Sequence, residues 1–210
     1  MAAALRLTDT AVAAVGDFGR AVQRRLVDAG AVPVDPEHVE HVEPRPTVLV
    51  TWRPEPELGE AFDRISRDRG TPWLPVAVDH PRLVVGPWLD PSDGPCHRCY
   101  LGRRSQHDSR SDVRARVLDA YANDDTLGVL GYLPHHVRTA EALVRRELGA
   151  PRAGRVAMVD LFGARPAFAR VAARHGCERC GADDRWGGAL PLAELAARVR
   201  PGRIAEVAAR

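Results

Sequence analysis

Thr47-Val-Leu-Val-Thr-Trp52 is an uncharged, β-rich run closed by Pro54 and Pro56. Leu58, Ala61, Phe62 and Ile65 then mark one helical face as far as Gly70, and Trp73 to Val78 reads as a further strand. Strand, helix, strand in that order implies a parallel crossover and therefore an α/β sheet. Pro75 is expected to break the third element, and Leu83 to Trp88 reads as the strand after it. Upstream, Thr10 to Val15 is short and apolar, Gly16-Asp17-Phe18-Gly19 interrupts it, and Val22, Leu26 and Ala29 recur at helical spacing up to Gly30. This reads as strand, glycine turn and helix, with Asp17 as cap. A single helix from Thr10 to Ala29 competes, but its two interior glycines would cost roughly 1 kcal/mol each. Val32 to Val34 is a short strand, and residues 35–46, with three prolines, form a connecting loop. Downstream, helices are expected over 111–122 (Val113, Val117, Ala120, Tyr121) and from Val137 to Leu148, with Ala140, Leu143, Val144 and Leu148 inward and Gly149 as the stop. Arg155 to Asp160 and Ala167 to Ala172 read as two strands. A final amphipathic helix follows Pro191, with Leu192, Leu195 and Val199 along one face.

The chain has four cysteines, in two Cys-x-x-Cys pairs, Cys96/Cys99 and Cys177/Cys180, with 77 residues between the inner members. Each pair can chelate a metal from a tight turn, and Zn²⁺ asks for four soft ligands at about 2.3 Å in a tetrahedron. Glycines around both pairs allow backbone N–H groups to face the sulfurs, and nearby Arg and His offset thiolate charge. His97 and His175 stand beside the thiolates as candidate donors to them. Four thiolates leave no open position, so such a site holds structure rather than activating water. Two disulfides would also use four cysteines, but no apolar targeting segment precedes the chain, which points to the cytoplasm. A thioredoxin-like role needs one pair and leaves the other without a purpose.

At 210 residues and 45% hydrophobic content the chain suits a single globular domain, and no apolar run approaches the length of a membrane span. Its net charge of +2 falls to about zero with four thiolates and one Zn²⁺ bound, so composition calls for neither nucleic acid nor a lipid surface. All 30 basic residues are Arg. The absence of Lys reflects coding bias, yet it excludes Walker-type phosphate binding and Schiff-base catalysis. His135-His136, at a helix entrance after Pro134, reads as a cap and a surface side chain. Ser105, Ser109 and Ser111 have no His and Asp partners by spacing.

Gly70 to Val78 followed by Val85-Gly-Pro87 and Pro95-Cys-His-Arg-Cys-Tyr100 resembles the crossover strand and first cysteine pair of the E1-like family that includes ThiF, MoeB and the ubiquitin-activating enzymes. Leu127-Gly-Val-Leu-Gly131 with Thr139 to Val144 resembles that family's glycine-rich turn and helix. Val156 to Phe162 and His175 to Gly181 resemble its terminal hairpin and second metal turn. The fold implied is a truncated Rossmann-like E1/ThiF sheet flanked by helices, with a structural zinc tetrathiolate on Cys96, Cys99, Cys177 and Cys180. It occupies residues 1–210 as one domain, with a degenerate nucleotide-binding part at about 1–46 and a zinc-bearing part at about 47–185.

Active members of that family bind ATP at a Gly-x-Gly-Gly-x-Gly turn. Here Gly16 and Gly19 remain, Asp35 reads either as an exposed loop carboxylate, the favoured reading, or as a relic of the acid that meets ribose, and Arg53-Pro54 replaces an expected Asp. ATP binding is therefore expected to be lost. Val85 to Tyr100 is most similar to the Ocin-ThiF-like (bacteriocin cyclodehydratase) proteins of azoline peptide biosynthesis. That resemblance implies a non-catalytic scaffold that supports presentation of a precursor peptide to a YcaO-type enzyme, with a homodimer plausible. About nine residues precede the first strand, so a leader-binding module is expected either to be missing or to come from another chain. Two alternatives stay open. One is an active adenylating or cyclodehydrating enzyme. The other is a zinc-ribbon nucleic-acid binder using Arg103, Arg104, Arg110, Arg114 and Arg116, a stripe interrupted by Asp108, Asp112 and Asp119.

Overall fold

In a computed structural model, residues 4–163 and 165–181 are described. Ala11–Val15 (β1) runs into Gly16–Asp28 (α1), and Val32–Val34 (β2) into a 3-10 helix at Pro36–His41. Thr47–Thr51 (β3), Pro56–Arg69 (α2) and Trp73–Asp79 (β4) form the expected crossover, and Arg82–Val85 (β5) turns back beside β4. Three helices follow, His97–His107 (α3), Ser111–Asn123 (α4) and Pro134–Gly149 (α5), before the hairpin of Arg155–Asp160 (β6) and Pro166–Arg170 (β7). The sheet order is β2-β1-β3-β4-β5-β6-β7, with β2, β1, β3 and β4 parallel and each later pairing antiparallel. No helix among the described residues is long and apolar enough to cross a membrane. The helix expected after Pro191 lies outside the described residues.

Alternation along the strands divides the core in two. Val12, Val48, Val50, Leu74, Val76 and Val78 face α1 and α5, where Phe18, Val22, Leu26, Ala140, Val144 and Leu148 meet them. Ala11, Ala13, Leu49 and Trp73 point the other way, onto Val39 and Phe62. α1 and α5 are further joined by an ion-paired set in which Arg25 and Arg145 both bind Glu141, and Phe18 of α1 makes an edge contact at 5.6 Å with Tyr132, just before α5.

Several local expectations change. Pro75 does not break β4: its carbonyl accepts from Gly86 N–H at 2.7 Å, and its nitrogen lies on the side where β5 has already ended at Val85. The missing donor therefore falls beyond the ladder. Asp17 is not a cap. Val15 occupies that position without a side-chain bond, and Asp17 sits in the first turn paired with Arg20 at 2.6 Å. The loop at 35–46 contains a 3-10 helix capped by Asp35. α3 was not expected at all. Gly70, at φ 64°, closes α2 with the left-handed cap that glycine accepts most readily.

Candidate metal centre and the filled nucleotide position

The insertion between β5 and β6 begins with Cys96 as the N-cap of α3 and Cys99 in its first turn. Cys177 and Cys180 follow β7, and folding brings the two pairs together with all four sulfurs within 4.8 Å of one another. Cys96 Sγ lies 3.6 Å from Cys177 Sγ, and Cys99 Sγ 3.6 Å from Cys180 Sγ. A disulfide would place its sulfurs at about 2.05 Å, whereas ligands 2.3 Å from a tetrahedral zinc stand about 3.8 Å apart. The observed spacing is that of a metal-ligand set. Among the described residues no other group of three or more His, Cys, Asp or Glu side chains converges in this way.

Backbone donors serve the sulfurs as the glycine-rich turns suggested. Arg174 N–H reaches Cys99 Sγ at 3.2 Å, so the second segment stabilises a ligand of the first. Burial pushes the Cys96 thiol up, and it pushes Cys180 up to about 11. Burial also opposes ionisation of Cys177, but the N–H groups of Cys180 and Arg179 outweigh it and bring that thiol down to about 7. A divalent metal held by these sulfurs would favour the thiolate form at all four.

A buried carboxylate ties this centre to α2. Asp63, 1% exposed, accepts from His97 N–H at 3.1 Å through one oxygen and from Arg179 at 3.2 Å through the other. The first of these satisfies an otherwise orphaned donor at the start of α3. Glu60, one turn earlier, holds Arg179 at 2.5 Å and Arg98 at 2.9 Å. Sequence reasoning missed Asp63, because an acid on the inward side of an amphipathic helix looks like an ordinary break in the pattern. The ring of His97 packs between Trp73 and Tyr100 at 5.5 and 6.1 Å, over Gly59, where a Cβ would meet it at 2.5 Å. No bond from this ring to sulfur is formed. Burial lowers its pKa, and its Nδ1 has no hydrogen-bond partner among the described residues.

At the head of α1, the end of a strand–helix unit where nucleotide-binding sheets place phosphates, the Trp52 indole packs against Gly16. A Cβ on Gly16, whose φ is 73°, would lie 2.2 Å from the Trp52 ring, and one on Gly128 would lie 2.6 Å from another edge of the same indole. Arg53 stacks beside it, 5.0 Å from the Trp52 ring and 4.7 Å from Tyr121. Its guanidinium donates to the carbonyls of Tyr121, Asp124 and Leu127 at 2.9, 3.0 and 2.5 Å and to Glu55 at 2.7 Å, drawing the segment after α4 across the carboxyl end of β3. A tryptophan buries about 150–250 Å². Expelling it would cost a ligand on the order of 5 kcal/mol at 25 cal/mol/Å². The opening that remains alongside, about 260 Å³, includes Asp79 in its wall, and that carboxylate is already held by Arg104 and Arg114.

The other residues expected at the nucleotide position have structural work. A Cβ on Gly19 would lie 2.6 Å from Val50 O, so this glycine lets α1 approach β3 closely. Asp35 stands just past β2, at the location expected of a ribose acid, but its carboxylate accepts from Glu37 N–H at 2.9 Å. That bond holds its pKa below the usual carboxylate range. Three of the five arginines of the basic stripe are engaged within the fold: Arg104 and Arg114 on Asp79, and Arg103 on the carbonyls of Ala172 and Ala173, while Arg110 and Arg116 are exposed. His136 caps α5 by accepting from Leu133 N–H at 3.2 Å, and His135 is exposed, in keeping with the sequence reading.

No family model matches the chain, and no curated protein matches it. Solved structures do. The heterocyclase TruD superposes on 86% of this chain with a TM-score of 0.59 and 20% identity, and the E. coli microcin synthetase McbBCD complex on 84% with 0.63 and 14%. E. coli MccB with ATP superposes on 83% with a TM-score of 0.56 and 12% identity. The match spans 28% of the TruD chain, 69% of the microcin synthetase chain and 67% of the MccB chain. At these identities the likeness is one of fold, and the resemblance read from the sequence is met at that level.

Proposed function

We propose that this chain is a non-catalytic, E1-like scaffold in the biosynthesis of azoline-bearing ribosomal peptides, supporting the presentation of a precursor peptide to a YcaO-type enzyme that carries out the ATP chemistry. The observation that carries this reading is the Trp52 indole against Gly16, with Arg53 fixing the loop above it. A nucleotide would have to dismantle that arrangement before it reached the N-terminus of α1. The likeness in fold to a heterocyclase and to a microcin synthetase component supports the peptide-modifying setting.

In this reading Cys96, Cys99, Cys177 and Cys180 hold one structural Zn²⁺, which supplies a rigid tetrahedral junction and no reacting group. Such a metal contributes on the order of 10–16 kcal/mol of apparent folding free energy. The chain's own residues do the rest. Asp63 and Glu60 fix the junction on α2, and Gly16 and Gly19 serve packing. The protein acts as one E1/ThiF-like domain in the cytoplasm, as a homodimer or in a complex with its enzyme partner.

The test combines ATP–pyrophosphate exchange by the purified protein with reconstitution beside a YcaO-type enzyme and its precursor peptide. No exchange by the chain alone is expected. Its addition should raise the rate at which the enzyme removes water from the peptide, read by mass spectrometry. Exchange by this chain alone, or an enzyme indifferent to its presence, overturns the proposal.

A further inference from the structure

The two edges of the sheet are treated differently. At one, β2 is three residues long with Pro33 at its centre, a common way of closing an edge to further pairing. At the other, all five residues of β7 are exposed, and its proline stands at the first position, where it interrupts nothing. Val171 N–H bonds to Gly154 O, and Leu161 N–H to Pro81 O. The alternation of an antiparallel ladder then turns the backbone groups of Ala167 and Ala169 toward β6 and those of Phe168 and Arg170 outward. The outer edge thus offers two N–H donors, from Phe168 and Arg170, and three carbonyl acceptors, from Pro166, Phe168 and Arg170.

Charge in the sequence around this edge is mostly basic, with the exposed Asp160 at the end of β6 as the exception. The sequence holds no Asp or Glu between Glu147 and Asp160 or between Asp160 and Glu178, while Arg152, Arg155, Arg165, Arg170 and Arg174 fall in those intervals. Glu147 is fully buried and pairs with Arg155 at 2.7 Å, which leaves Arg152, Arg165, Arg170 and Arg174 as the exposed charges of these intervals. Arg146, from the exposed side of α5, lies over the Phe168 ring at 4.0 Å. An edge of this kind suits an extended strand with acidic side chains, whose backbone pairs with β7 while alternate residues meet the arginines.

We infer that the outer edge of β7 is a docking edge for an extended, acidic polypeptide segment, which adds to the sheet as a further antiparallel or parallel strand. This goes beyond the scaffold reading and does not depend on it, because any acidic extended chain meets the same backbone and charge pattern.

Fluorescence anisotropy with three short fluorescein-labelled peptides tests it on the full-length, zinc-loaded protein: alternating Glu and Val, alternating Lys and Val, and the Glu peptide with a central proline. Saturable binding of the first is expected, with the other two weaker by about tenfold or more. Arg146→Glu combined with Arg170→Glu should abolish binding of the Glu probe. Phe168→Pro, which removes an outward donor and leaves charge unchanged, should weaken it by about tenfold. Circular dichroism checks that both variants fold, and the comparison of probes on the unmodified protein decides the matter if either does not. Equal binding of Glu and Lys probes, no binding of the Glu probe to the full chain, or binding that survives both variants overturns the inference. So does a dimer of the protein that Phe168→Pro converts to monomer, since the edge would then be taken by a second copy.

Discussion

Replacing Asp63 separates a metal centre that merely sits on the fold from one held in shape by it. Its carboxylate is 1% exposed and joins three elements, α2, the start of α3 and the segment that carries Cys177 and Cys180. Asp63→Asn keeps an oxygen for the His97 N–H and loses the charge that faces Arg179. A charge-assisted hydrogen bond is worth about 1.5–3 kcal/mol, and Arg179 retains Glu60 at 2.5 Å, which softens the loss. The expected cost is therefore about 1–2 kcal/mol for Asn. For Asp63→Ala it is about 3 kcal/mol, because the His97 donor is also orphaned. If most of that falls on the metal-bound form, zinc affinity drops about 10-fold for Asn and about 100-fold for Ala, at 1.4 kcal/mol per decade. Competition with a chromophoric chelator measures the affinity, and melting curves with and without zinc show where the loss resides. Affinities within a factor of about two of the parent, with equal loss of melting temperature in both forms, would refute the role given to Asp63.

Chelation of zinc, or Cys96→Ser, should unfold the α3 region and lower the melting temperature sharply, whereas ATP with Mg²⁺ should leave the melting temperature unchanged. In the metal-free protein iodoacetamide should label Cys177 first and Cys96 last, as peptide mapping would show, since one thiol is half-buried near 7 and the other is buried and pushed up. Gly16→Ala should cost about 2–4 kcal/mol in urea denaturation, because a β-carbon there meets the Trp52 ring at a positive φ. Gly70→Ala, at φ 64° with open space around it, should cost only about 1 kcal/mol. Burial opposes the Glu141 carboxylate, yet Arg25 and Arg145 outweigh it and hold its pKa below the ordinary value. The stability it contributes is full above the unfolded-state pKa and is lost as pH falls through the lower folded value. The gap in urea midpoint between the parent and Glu141→Gln should therefore close on acidification.

The parallel half of the sheet was legible because β1 and β3 are uncharged runs next to glycine or proline, β4 is uncharged up to its last residue, Asp79, and α1, α2 and α5 carry apolar residues at helical spacing. α3 was not legible. Its buried residues are His97 and Cys99, and its anchors are ionic, Arg104 to Asp79 and Arg98 to Glu60, so no apolar stripe announces it. The cysteine pairs declared themselves by spacing, but Asp63 did not, since its partners lie 34 and 116 residues away. The state of the nucleotide position was half visible. Missing glycines and the absent acid after β3 raised the expectation that ATP binding is lost, while the indole packed against Gly16 depends on a meeting of residues 16, 52 and 128 that no local pattern encodes. Arg53 was noticed only as a substitution, although it is the residue that ties the segment after α4 to the end of β3.

The two cysteine pairs stand on either side of the whole insertion that carries α3, α4 and α5 and of the final hairpin. On the ribosome the first pair emerges long before the second, and Cys180 follows every described strand. Residues 11–79 can therefore lay down the parallel sheet while the metal centre is still incomplete. In the zinc-bound reading, capture has to wait for Cys180, so a chain made without zinc would hold its parallel strands but lack the junction between α3 and the segment after β7. Cellular metal supply, rather than synthesis of the chain, would then set how much finished protein exists.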